Sequence, residues 1–329
     1  MNVVLVRADG IGDALVCAPL VAALRAAGHR VGAVLGTGNR EAFAPDAFEA
    51  VHVLDRIPWP RHGSTPASRR AALAAIRAAR YDVALIASEE LEAYELARAA
   101  RIPERIGFVN GWEKPLKTLR VAPFLLTRAH VRPASSERER RHEAVTLFRL
   151  SKGLHGEPVP TRDVARLRPL VLGEPVAPYG AVALQVSPKF ADAGLGVEAF
   201  AAAARELAAR GLRAVVLGDD PALVREVAAA SGAEARTGID VPGWKAAIAG
   251  AAALITPDSG AAHVAGMLGV PCIDCFPPGD PREMARWSPW AAPFRTIALD
   301  PVRTPAQTGA RLAREAAELL RPSRAGQFV

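Results

Sequence analysis

Short β-branched runs alternate with Ala-rich stretches of helical periodicity along this chain, and the alternation occurs twice. The runs that predict strands are 3–6, 31–35, 51–54 and 83–87 in the first half, and 181–186, 214–217, 253–256 and 272–276 in the second. The stretches that predict helices are 14–27 and 68–79, then 197–210, 222–230, 244–249, 261–268 and a terminal segment at 305–320. Strands that alternate with helices predict a parallel sheet in each half, and their nearly unbroken apolar character fits sheets covered by helices on both faces.

The length of the chain indicates two domains, because 329 residues exceed what one hydrophobic core usually organises. Between residues 103 and 178 prolines and charged residues replace strand signals, and the five prolines of 156–178 predict a linker. The sequence therefore predicts an α/β protein of two Rossmann-like, doubly wound domains, at 1–166 and 167–301, followed by a terminal helix and tail at 302–329. Two such domains that face each other form a cleft, and ligands of these sheets bind beyond the carboxyl ends of the strands.

The few cysteines argue against a disulfide-built secreted protein and favour a reducing compartment. Cys272 and Cys275 have the spacing of a metal or redox pair, but both lie in a predicted buried strand. Residues three apart on a strand face opposite sides, so these two thiols are not expected to converge. The apolar run after Met1 is too short for a signal peptide, and no stretch reaches the ~20 apolar residues of a membrane helix. These features predict a cytoplasmic protein without a transmembrane segment.

The net charge of the chain is +7, and arginine dominates its basic residues. Such a charge fits an anionic partner, such as a membrane surface, a phosphorylated glycolipid or a nucleic acid. Compositional drift explains the charge as well, because the chain is rich in Ala, Arg, Gly and Pro throughout. The charge alone therefore selects no partner.

The loop after the first predicted strand runs through 8–13 and opens a helix. Gly10 and Gly12 allow a tight turn and a close backbone approach to a ligand. A dinucleotide-binding loop needs a third glycine at the position of Leu15 and an acidic residue after the second strand, and the sequence has neither. A hydride-transfer function is therefore disfavoured. Asp13, a carboxylate at the start of the helix, fits a catalytic base or a residue that only complements the helix dipole.

A second loop, 256–263, lies between a strand and a helix of the second half. Asp258, Ser259 and Gly260 stand where backbone amides and a hydroxyl can cradle phosphate groups, with His263 one turn into the helix. The same residues fit a capped helix with a half-buried histidine. A third, Pro-rich loop after the last predicted strand either ends a sheet edge or forms one wall of a cleft.

Together these segments resemble the ADP-heptose:lipopolysaccharide heptosyltransferases of glycosyltransferase family nine. The resemblance spans nearly the whole chain, and its motifs come in the same order as in that family. They are Ile11-Gly12-Asp13 with Pro19 behind it, Ile102 to Phe108, His142-Glu143, Asp258-Ser259-Gly260 with His263 and Gly269-Val270-Pro271, Pro278-Gly279-Asp280-Pro281, and Trp287-Ser288-Pro289-Trp290. The resemblance implies the GT-B architecture of two Rossmann-like domains and an inverting sugar transfer to a hydroxyl group.

The resemblance also implies which residues act. Asp13 is the implied general base, and the terminal helix is implied to pack back on the N-terminal domain. The residues implied for the donor are Gly12, Ser187, Lys189, Asp219, Asp258, Ser259, Gly260, Ala261 and His263. Lys114, Lys117 and Arg120 are implied contacts of phosphate or carboxylate groups on the acceptor, although a solvated loop fits these three as well.

The chain departs from the family pattern in three places. Lys189 stands several positions ahead of the family lysine that meets the donor phosphates. Asp219 and Asp220 are slightly shifted from the acidic residue that binds the donor ribose, and residues 88–91 lack the family's glycine. These departures leave the identities of donor and acceptor open.

The partners implied by the resemblance are an ADP-heptose-like nucleotide-sugar donor and a glycan or glycolipid acceptor, with peripheral contact at the inner membrane surface. No nucleic-acid partner, cofactor or metal ion is implied. Three alternatives stay open at this point: a nucleotide-sugar epimerase or hydrolase on the same fold, a non-catalytic nucleotide-sugar-binding homologue, and a nicotinamide dehydrogenase, which Leu15 disfavours.

Overall fold

The computed structural model describes residues 1–56, 63–133, 141–279 and 281–321. It contains two compact units, Met1–Gly173 and Glu174–Val329. Each unit holds a six-stranded sheet in which neighbouring strands are parallel. The predicted fold class, two Rossmann-like α/β domains, is confirmed.

The first unit has the strand order β3-β2-β1-β4-β5-β6. Its strands are β1 (Asn2–Val6), β2 (Arg30–Gly36), β3 (Val51–Leu54), β4 (Val83–Ile86), β5 (Glu104–Val109) and β6 (Arg128–Val131). Its helices are α1 (Ile11–Leu15), α2 (Ala18–Ala26), α3 (Pro66–Ala79), α4 (Leu91–Ala99), α5 (Pro115–Leu125), α6 (Glu143–Phe148) and α7 (Val164–Val171). The strand order reverses between β1 and β4, and α/β sheets bind ligands beside such a point, outside the carboxyl ends of the strands.

The second unit repeats this arrangement with the order β12-β11-β10-β7-β8-β9. Its strands are β7 (Val182–Gln185), β8 (Ala214–Leu217), β9 (Glu234–Ala235), β10 (Ala253–Pro257), β11 (Cys272–Phe276) and β12 (Phe294–Ala298). Its helices are α8 (Val197–Ala209), α9 (Pro221–Ser231), α10 (Val241–Ala249), α11 (Gly260–Leu268), α12 (Pro281–Trp287) and α13 (Pro305–Leu319). The central strands β7, β10 and β11 are buried along their whole length, as expected of strands covered on both faces.

Several helices begin where a capping residue precedes a proline. Thr65 accepts a hydrogen bond from the amide of Ser68 at the start of α3, and Asp220 accepts from the amides of Ala222 and Leu223 at the start of α9. In both cases the next residue is proline, whose fixed φ suits the first helical position and whose missing N–H would have no partner there. The observed helices begin two residues and one residue ahead of the predicted stretches 68–79 and 222–230, because the Ala-rich stretches do not include the cap and its proline.

The sequence failed to predict four strands: β5, β6, β9 and β12. Three of these lie at or beside a sheet edge and expose polar residues, so they lack the apolar run of a central strand. In β5, Gly107 lies where an added Cβ would approach Tyr94 Cε1 and Leu126 Cδ2 to 3.0 Å, so close packing requires a glycine that weakens the strand signal. The stretch 103–178 therefore completes the first sheet, although it was predicted to lack strands.

The predicted linker 156–178 also contains α7. Leu167, Leu170 and Val171 of this helix are buried in the first unit, and the carbonyl of Leu170 accepts a hydrogen bond from the amide of Ala44 at 2.8 Å. The first unit consequently ends after Gly173, whereas the sequence predicted a boundary after residue 166.

The terminal helix α13 forms as predicted and packs on α8 of the second unit. Gly309 allows a close crossing, since a Cβ there would lie 2.6 Å from the Cβ of Ala202. Leu312, Ala313 and Ala316 join the hydrophobic core of the second sheet. This face of the helix is therefore used within its own unit, and the implied packing on the N-terminal domain would require another face and stays a prediction.

Cys272 and Cys275 are free and fully buried on β11, as the predicted strand requires. Burial raises the pKa of both thiols well above the usual value, so they stay protonated and unreactive. Among the residues that the structure describes, no helix is long and apolar enough to cross a membrane.

Candidate functional site

Arg7, directly after β1, organises the carboxyl edge of the first sheet. Its side chain is buried, its Nη2 donates to Asp13 Oδ1 at 2.6 Å, and its Nε lies 3.1 Å from Asp9 Oδ2. Nη1 donates to the carbonyl of Ala87 at the end of β4. Burial acts to lower the pKa of Arg7, but the carboxylates of Asp9 and Asp13 raise it above its usual value, so the guanidinium remains charged.

Asp13 has one carboxylate oxygen held by Arg7 and the other turned towards the start of α1. Oδ2 accepts a weak hydrogen bond from the amide of Gly10 at 3.3 Å, and 36% of the side chain is exposed. The side chain is therefore fixed in orientation and still open to solvent on one side. Such a carboxylate can accept a proton from a hydroxyl group that reaches its exposed side.

The loop that carries Asp13 is pinned by a buried asparagine. Asn39 Nδ2 donates to the carbonyls of Arg7 and Gly10 at 3.1 and 3.3 Å, and its Oδ1 accepts from the amide of Gly36 at 2.8 Å. These bonds join the loop after β1 to the loop after β2. Nothing in the sequence singles out Asn39, because a lone asparagine in a Gly-rich turn also fits ordinary turn chemistry.

Asp9 is the second carboxylate that pairs with Arg7, and 24% of its side chain is exposed. Its Oδ1 accepts from Ser88 Oγ at 3.4 Å. Burial raises the pKa of Asp9 despite the lowering effect of Arg7. Asp9 therefore adds a second, partly exposed carboxylate to the network on Arg7, and the sequence motifs do not single it out.

A second buried arginine extends the network across the sheet. Arg132, after β6, donates to both Glu89 and Glu143, and Glu143 is itself only 1% exposed. Burial opposes ionisation of Glu89, but Arg132 and the lysines Lys117 and Lys114 lower its pKa overall. Charged groups after β1, β4 and β6 thus share one edge of the first sheet.

The structure separates the three residues predicted for the acceptor. Lys114 Nζ lies 3.9 Å from Glu89 Oε2, and Lys117 Nζ donates to the carbonyl of Glu89 at 2.6 Å. Burial lowers the pKa of Lys117. Arg120 instead pairs with Glu95 on α4 at 3.0 Å. Lys114 and Lys117 therefore lie at the ionic network, whereas Arg120 points to another side of α5.

In the second unit, the loop after β7 meets the loop after β10. Lys189 donates from Nζ to the backbone carbonyl of Asp258, and its Nζ lies 3.3 Å from Asp258 Oδ2. Ser187 Oγ accepts from the amide of Lys189 at 3.1 Å, and the ring of Phe190 lies 4.7 Å from Nζ. The lysine is 44% exposed, so its ammonium group can also reach a ligand.

The N-terminus of α11 faces the same edge of the second sheet. Ser259 is its N-cap and accepts from the amide of Ala261 at 3.3 Å, while Thr256 Oγ1 and Ser259 Oγ lie 3.1 Å apart. The first amides of a helix carry partial positive charge and have no partner within the helix, which suits an anion such as a diphosphate. Gly260 opens the helix without a side chain that would cover these amides.

His263 and Asp219 have different surroundings. His263 is 3% exposed and packs edge-to-face against Trp287, with ring centroids 5.9 Å apart. The predicted half-buried histidine is thus fully enclosed. Asp219 follows β8 in an exposed bend, and its neighbour Asp220 is occupied as the cap of α9. Gly12 lies in the first turn of α1, in the first unit.

Asp274, in the middle of β11, is a carboxyl group that the sequence did not single out. It is fully buried, it pairs in register with Thr256 of β10, and within the described residues neither of its oxygens has a hydrogen-bond partner. Burial raises its pKa well above the usual value, the charge of Asp258 raises it further, and Lys189 lowers it only in part. Burial therefore favours the neutral, protonated form of this group in the folded protein.

Three further observations bound the site. No group of three or more His, Cys, Asp or Glu side chains within the described ranges is arranged to hold a metal ion. Asp280 of the Pro-rich turn lies outside the described residues, as do residues 322–329 of the predicted tail. A concavity of about 590 Å³ in the second unit lies beside α13, and its lining, which includes Arg303, Arg311 and Arg314, contains none of the predicted donor residues.

Comparison with known proteins gives one family match and many similar folds. Residues 196–307 match the family model described as Glycosyltransferase family 9 (heptosyltransferase). No curated protein matches the chain. The matched segment contains Asp219 and the whole of 258–263, so it covers most of the residues predicted for the donor.

Among solved structures, the E. coli heptosyltransferase WaaC with ADP is similar over 96% of this chain and 100% of its own, with 20% identity and a TM-score of 0.75. The E. coli ADP-heptose lps heptosyltransferase II is similar over 97% and 98%, with 18% identity and a TM-score of 0.70. A UDP-N-acetylglucosamine 2-epimerase is similar over 97% and 90%, with 12% identity and a TM-score of 0.51. At these identities the likeness establishes the fold.

Proposed function

We propose that this chain, a glycosyltransferase of family 9 by the match over residues 196–307, moves a heptose-like sugar from an ADP-sugar to a hydroxyl group of a glycan acceptor. The observation that carries this proposal is the family match itself, because it falls on the unit that presents Asp258, Ser259 and the N-terminus of α11. The protein would act in the cytoplasm on a nucleotide-activated donor, without a cofactor.

The second unit would hold the donor. The amides at the start of α11, of which that of Ala261 is bonded to Ser259 Oγ, and the ammonium group of Lys189 would supply positive potential to a diphosphate. This potential would stabilise the diphosphate more strongly as it gains charge on leaving. Asp219 follows the neighbouring strand and is proposed to contact the nucleoside. The similar E. coli heptosyltransferase WaaC was solved with ADP, which supports adenine as the base.

The first unit would supply the general base. The acceptor hydroxyl oxygen attacks the anomeric carbon and forms the new glycosidic bond, while the bond from that carbon to the diphosphate oxygen breaks. The hydroxyl proton passes to Asp13, and the diphosphate leaves with the electron pair of the broken bond. A single displacement of this kind inverts the configuration at the anomeric carbon. Arg7 would hold Asp13 in the orientation that this proton transfer needs.

The acceptor is proposed to contact Lys114 and Lys117, whose ammonium groups lie beside Glu89 at the same edge of the sheet. A phosphate or carboxylate group of a glycan, such as a lipopolysaccharide-type core, would then take the place of Glu89 as the partner of these two ammonium groups. Arg120 is a weaker candidate because it pairs with Glu95. Lys117→Ala is expected to raise the KM for the acceptor and leave donor affinity unchanged.

A thermal-shift screen tests the donor. A ligand that binds only the folded state stabilises it by RT ln(1 + [L]/Kd), so the preferred nucleotide sugar gives the largest rise in melting temperature. We expect ADP-sugars to stabilise the protein more than UDP- or GDP-sugars. A larger rise with a UDP-sugar would overturn the adenine assignment and leave the family intact.

The transfer is proposed to need no divalent metal. The helix amides and Lys189 would face the diphosphate in the proposed donor site, so a cation there would be partly redundant. Magnesium usually binds through one or two carboxylates together with substrate phosphates, so Asp258 is the carboxylate that would hold such an ion. Activity should survive exhaustive treatment with EDTA. Loss of turnover with EDTA and recovery with magnesium or manganese would contradict this.

A second candidate function is a nucleotide-sugar epimerase or hydrolase, which the similarity to the fold of a UDP-N-acetylglucosamine 2-epimerase favours. Incubation with the donor alone separates the two functions. A transferase leaves the nucleotide sugar intact until an acceptor is added, whereas an epimerase or hydrolase converts it at once. Donor binding with no conversion under either condition would indicate a non-catalytic homologue.

A further inference from the structure

The loop after β7 has an aromatic residue in a backbone conformation that favours glycine. Phe190 has a φ of 69° and a ψ of 17°, in the left-handed region. The amide of Ala191 donates to the carbonyl of Pro188 at 3.2 Å and closes a turn with Lys189 and Phe190 at its centre. This is the pattern of a type II turn, whose third residue needs a positive φ and is usually glycine, which has no Cβ to clash. Phenylalanine at this position therefore costs conformational free energy.

In the described part of the chain, two other non-glycine residues have a positive φ, and both lie at the end of a helix. Arg80, with a φ of 51°, is the C-cap of α3, and Arg101, with a φ of 60°, follows the end of α4. Left-handed residues are common at helix ends, and both arginines are exposed. Phe190 instead precedes a short 3-10 turn and is partly buried. Helix termination therefore does not explain its conformation.

Phe190 is fixed by both its side chain and its backbone. The side chain packs against the hydrophobic core of the second unit. The carbonyl accepts hydrogen bonds from the amides of Ala193 and Leu195, both at 3.0 Å, and Leu195 is itself fully buried. The ring of Phe190 thus has a defined place in the loop after β7, and it cannot follow a mobile side chain nearby.

The fixed ring lies next to the ammonium group of Lys189. The distance from Nζ to the ring centroid is 4.7 Å, which is within the range of a cation–π interaction. The same Nζ donates to the carbonyl of Asp258 and lies 3.3 Å from its Oδ2. Lysine has a long, flexible side chain that loses entropy when it is held in one place. The ring and Asp258 together restrict the positions that this ammonium group can take.

We propose that Phe190 is a positioning residue that holds the ammonium group of Lys189 at the start of α11, ready for a diphosphate. The inference rests on the proposed function, in which Lys189 meets the diphosphate of the donor. Asp258 directly precedes Ser259, the N-cap of α11, so a lysine held at Asp258 is close to the first amides of that helix. An ammonium group that is already held loses less freedom when a diphosphate replaces Asp258 as its partner.

Phe190→Gly separates this role from a role in the turn alone. Glycine suits the left-handed conformation, so the turn should persist, and the melting temperature checks the fold. Isothermal titration should give a Kd for ADP about two- to fivefold higher than that of the unaltered protein, the range of a partly exposed cation–π contact. Phe190→Leu, which keeps an apolar side chain without the aromatic ring, should show a similar rise. Arg80→Gly changes the same kind of backbone position at an exposed site and is the matched control, with an unchanged Kd.

A double-variant cycle shows whether Phe190 acts through Lys189. In the Lys189→Ala background, Phe190→Gly should leave the Kd for ADP unchanged, because the ring then has no ammonium group to hold. An equal loss of affinity in both backgrounds would overturn the proposal. A Kd in Phe190→Gly equal to that of the unaltered protein would also overturn it, since a residue that serves only the turn is replaceable by glycine.

Amine-reactive labelling followed by peptide mapping tests the same contact without a nucleotide. Relative to the exposed Lys152, Lys189 should react about two- to fivefold faster in Phe190→Gly than in the unaltered protein, because it loses a contact that favours its charged form. An unaltered protein that binds no ADP would contradict the proposed donor, and the labelling would then decide the role of Phe190 by itself. An unchanged labelling rate at Lys189 would overturn that role.

Discussion

The two units of this protein share one strand order, but different side chains lie at the carboxyl ends of their strands. In the first unit, two buried arginines, Arg7 and Arg132, lie at the carboxyl edge of the sheet, and each forms ion pairs with two carboxylates. In the second unit, the edge after β7 and β10 holds the half-exposed Lys189, the partly exposed carboxylate of Asp258 and the backbone amides at the start of α11. The topology is the same, so the difference lies in the loops.

The comparison shows how one architecture serves two tasks. A general base must keep one orientation throughout turnover, and the buried pair of Arg7 and Asp13 provides that through charge-assisted hydrogen bonds. A donor site must accept a charged ligand and release it, so its positive groups must stay available. Lys189 and the start of α11 meet that need, because the lysine pairs with Asp258 and is still 44% exposed. Four changes would break or sharpen this contrast.

The largest effect is expected for Asp13→Asn. The amide keeps the shape of the side chain and cannot accept the hydroxyl proton, so turnover should fall by about two to four orders of magnitude. Donor affinity should stay close to that of the unaltered protein, because the second unit is untouched, whereas the melting temperature should fall slightly, because Arg7 loses one of its two carboxylate partners. Asp46→Asn, at an exposed position, is the control and should be fully active. Near-normal turnover in Asp13→Asn would reduce Asp13 to a partner of the helix dipole.

The next effect concerns the buried arginine beneath the base. Arg7→Met leaves the carboxylates of Asp9 and Asp13 without their counter-charge. Because these side chains are 24% and 36% exposed, water screens part of the loss, and the free energy of unfolding should fall by about 1.5–3 kcal/mol, as measured by denaturant titration. Arg7→Lys keeps the charge but cannot reach both carboxylates and the carbonyl of Ala87 at once. Turnover should therefore fall clearly, while the free energy of unfolding should fall less than in Arg7→Met. Arg30→Met, at an arginine that is 72% exposed, should change neither. Equal stability of Arg7→Met and Arg30→Met would show that the network does not hold the fold of the first unit.

The architecture could be predicted from the sequence because the central strands are apolar and alternate with Ala-rich helical stretches. β1 and β10, for example, follow from their β-branched runs, and α9 follows from the Ala-rich stretch 222–230. The edge strands β6, β9 and β12 could not be predicted, because they are partly exposed and lack a continuous apolar run. The boundary was placed too early because α7 contains Pro169 and lies among other prolines, although its apolar residues are buried in the first unit.

The candidate site could be predicted only in part for a related reason. Asp13 and Asp258 stand in glycine-containing loops directly after strands, where function is expected. Arg7, Asn39 and Glu143 could not be selected, since their importance comes from burial and from partners far away in sequence. A single buried arginine in a sequence with many arginines gives no local signal. Asp274 was hidden for the same reason, inside a strand that otherwise fits a hydrophobic core.

A smaller effect is expected for Lys189→Ala in the second unit. A charge-assisted contact with the diphosphate contributes about 1.5–3 kcal/mol, and the competing pair with Asp258 reduces the net loss towards the lower end, which is about tenfold in donor Kd. Isothermal titration with ADP and with the ADP-sugar measures this. Lys152→Ala, at an exposed lysine of the first unit, is the control. Unchanged donor affinity would mean that the helix amides alone, or an arginine, hold the diphosphate.

The smallest effect is expected in the stability of the second unit as pH changes, and it depends on Asp274. Burial raises the pKa of this carboxyl group in the folded state, so the folded protein keeps the proton while the unfolded chain releases it above the usual pKa of an aspartic acid. Between these two pKa values the unfolded state binds fewer protons, and the free energy of unfolding therefore falls as pH rises, by no more than about 1.4 kcal/mol per pH unit for one proton.

Asp274→Asn removes the ionisation and retains a neutral polar group of the same shape. Denaturant titrations at several pH values between mildly acidic and mildly alkaline conditions should show a flatter pH dependence in Asp274→Asn, and a higher stability than the unaltered protein at the alkaline end. Asp192→Asn, at an exposed position, should follow the unaltered protein at every pH. An equal pH dependence of the free energy of unfolding in Asp274→Asn and Asp192→Asn would indicate that Asp274 has a partner in solution that stabilises its charged form. The second sheet would then contain a buried ion pair, as the first sheet does.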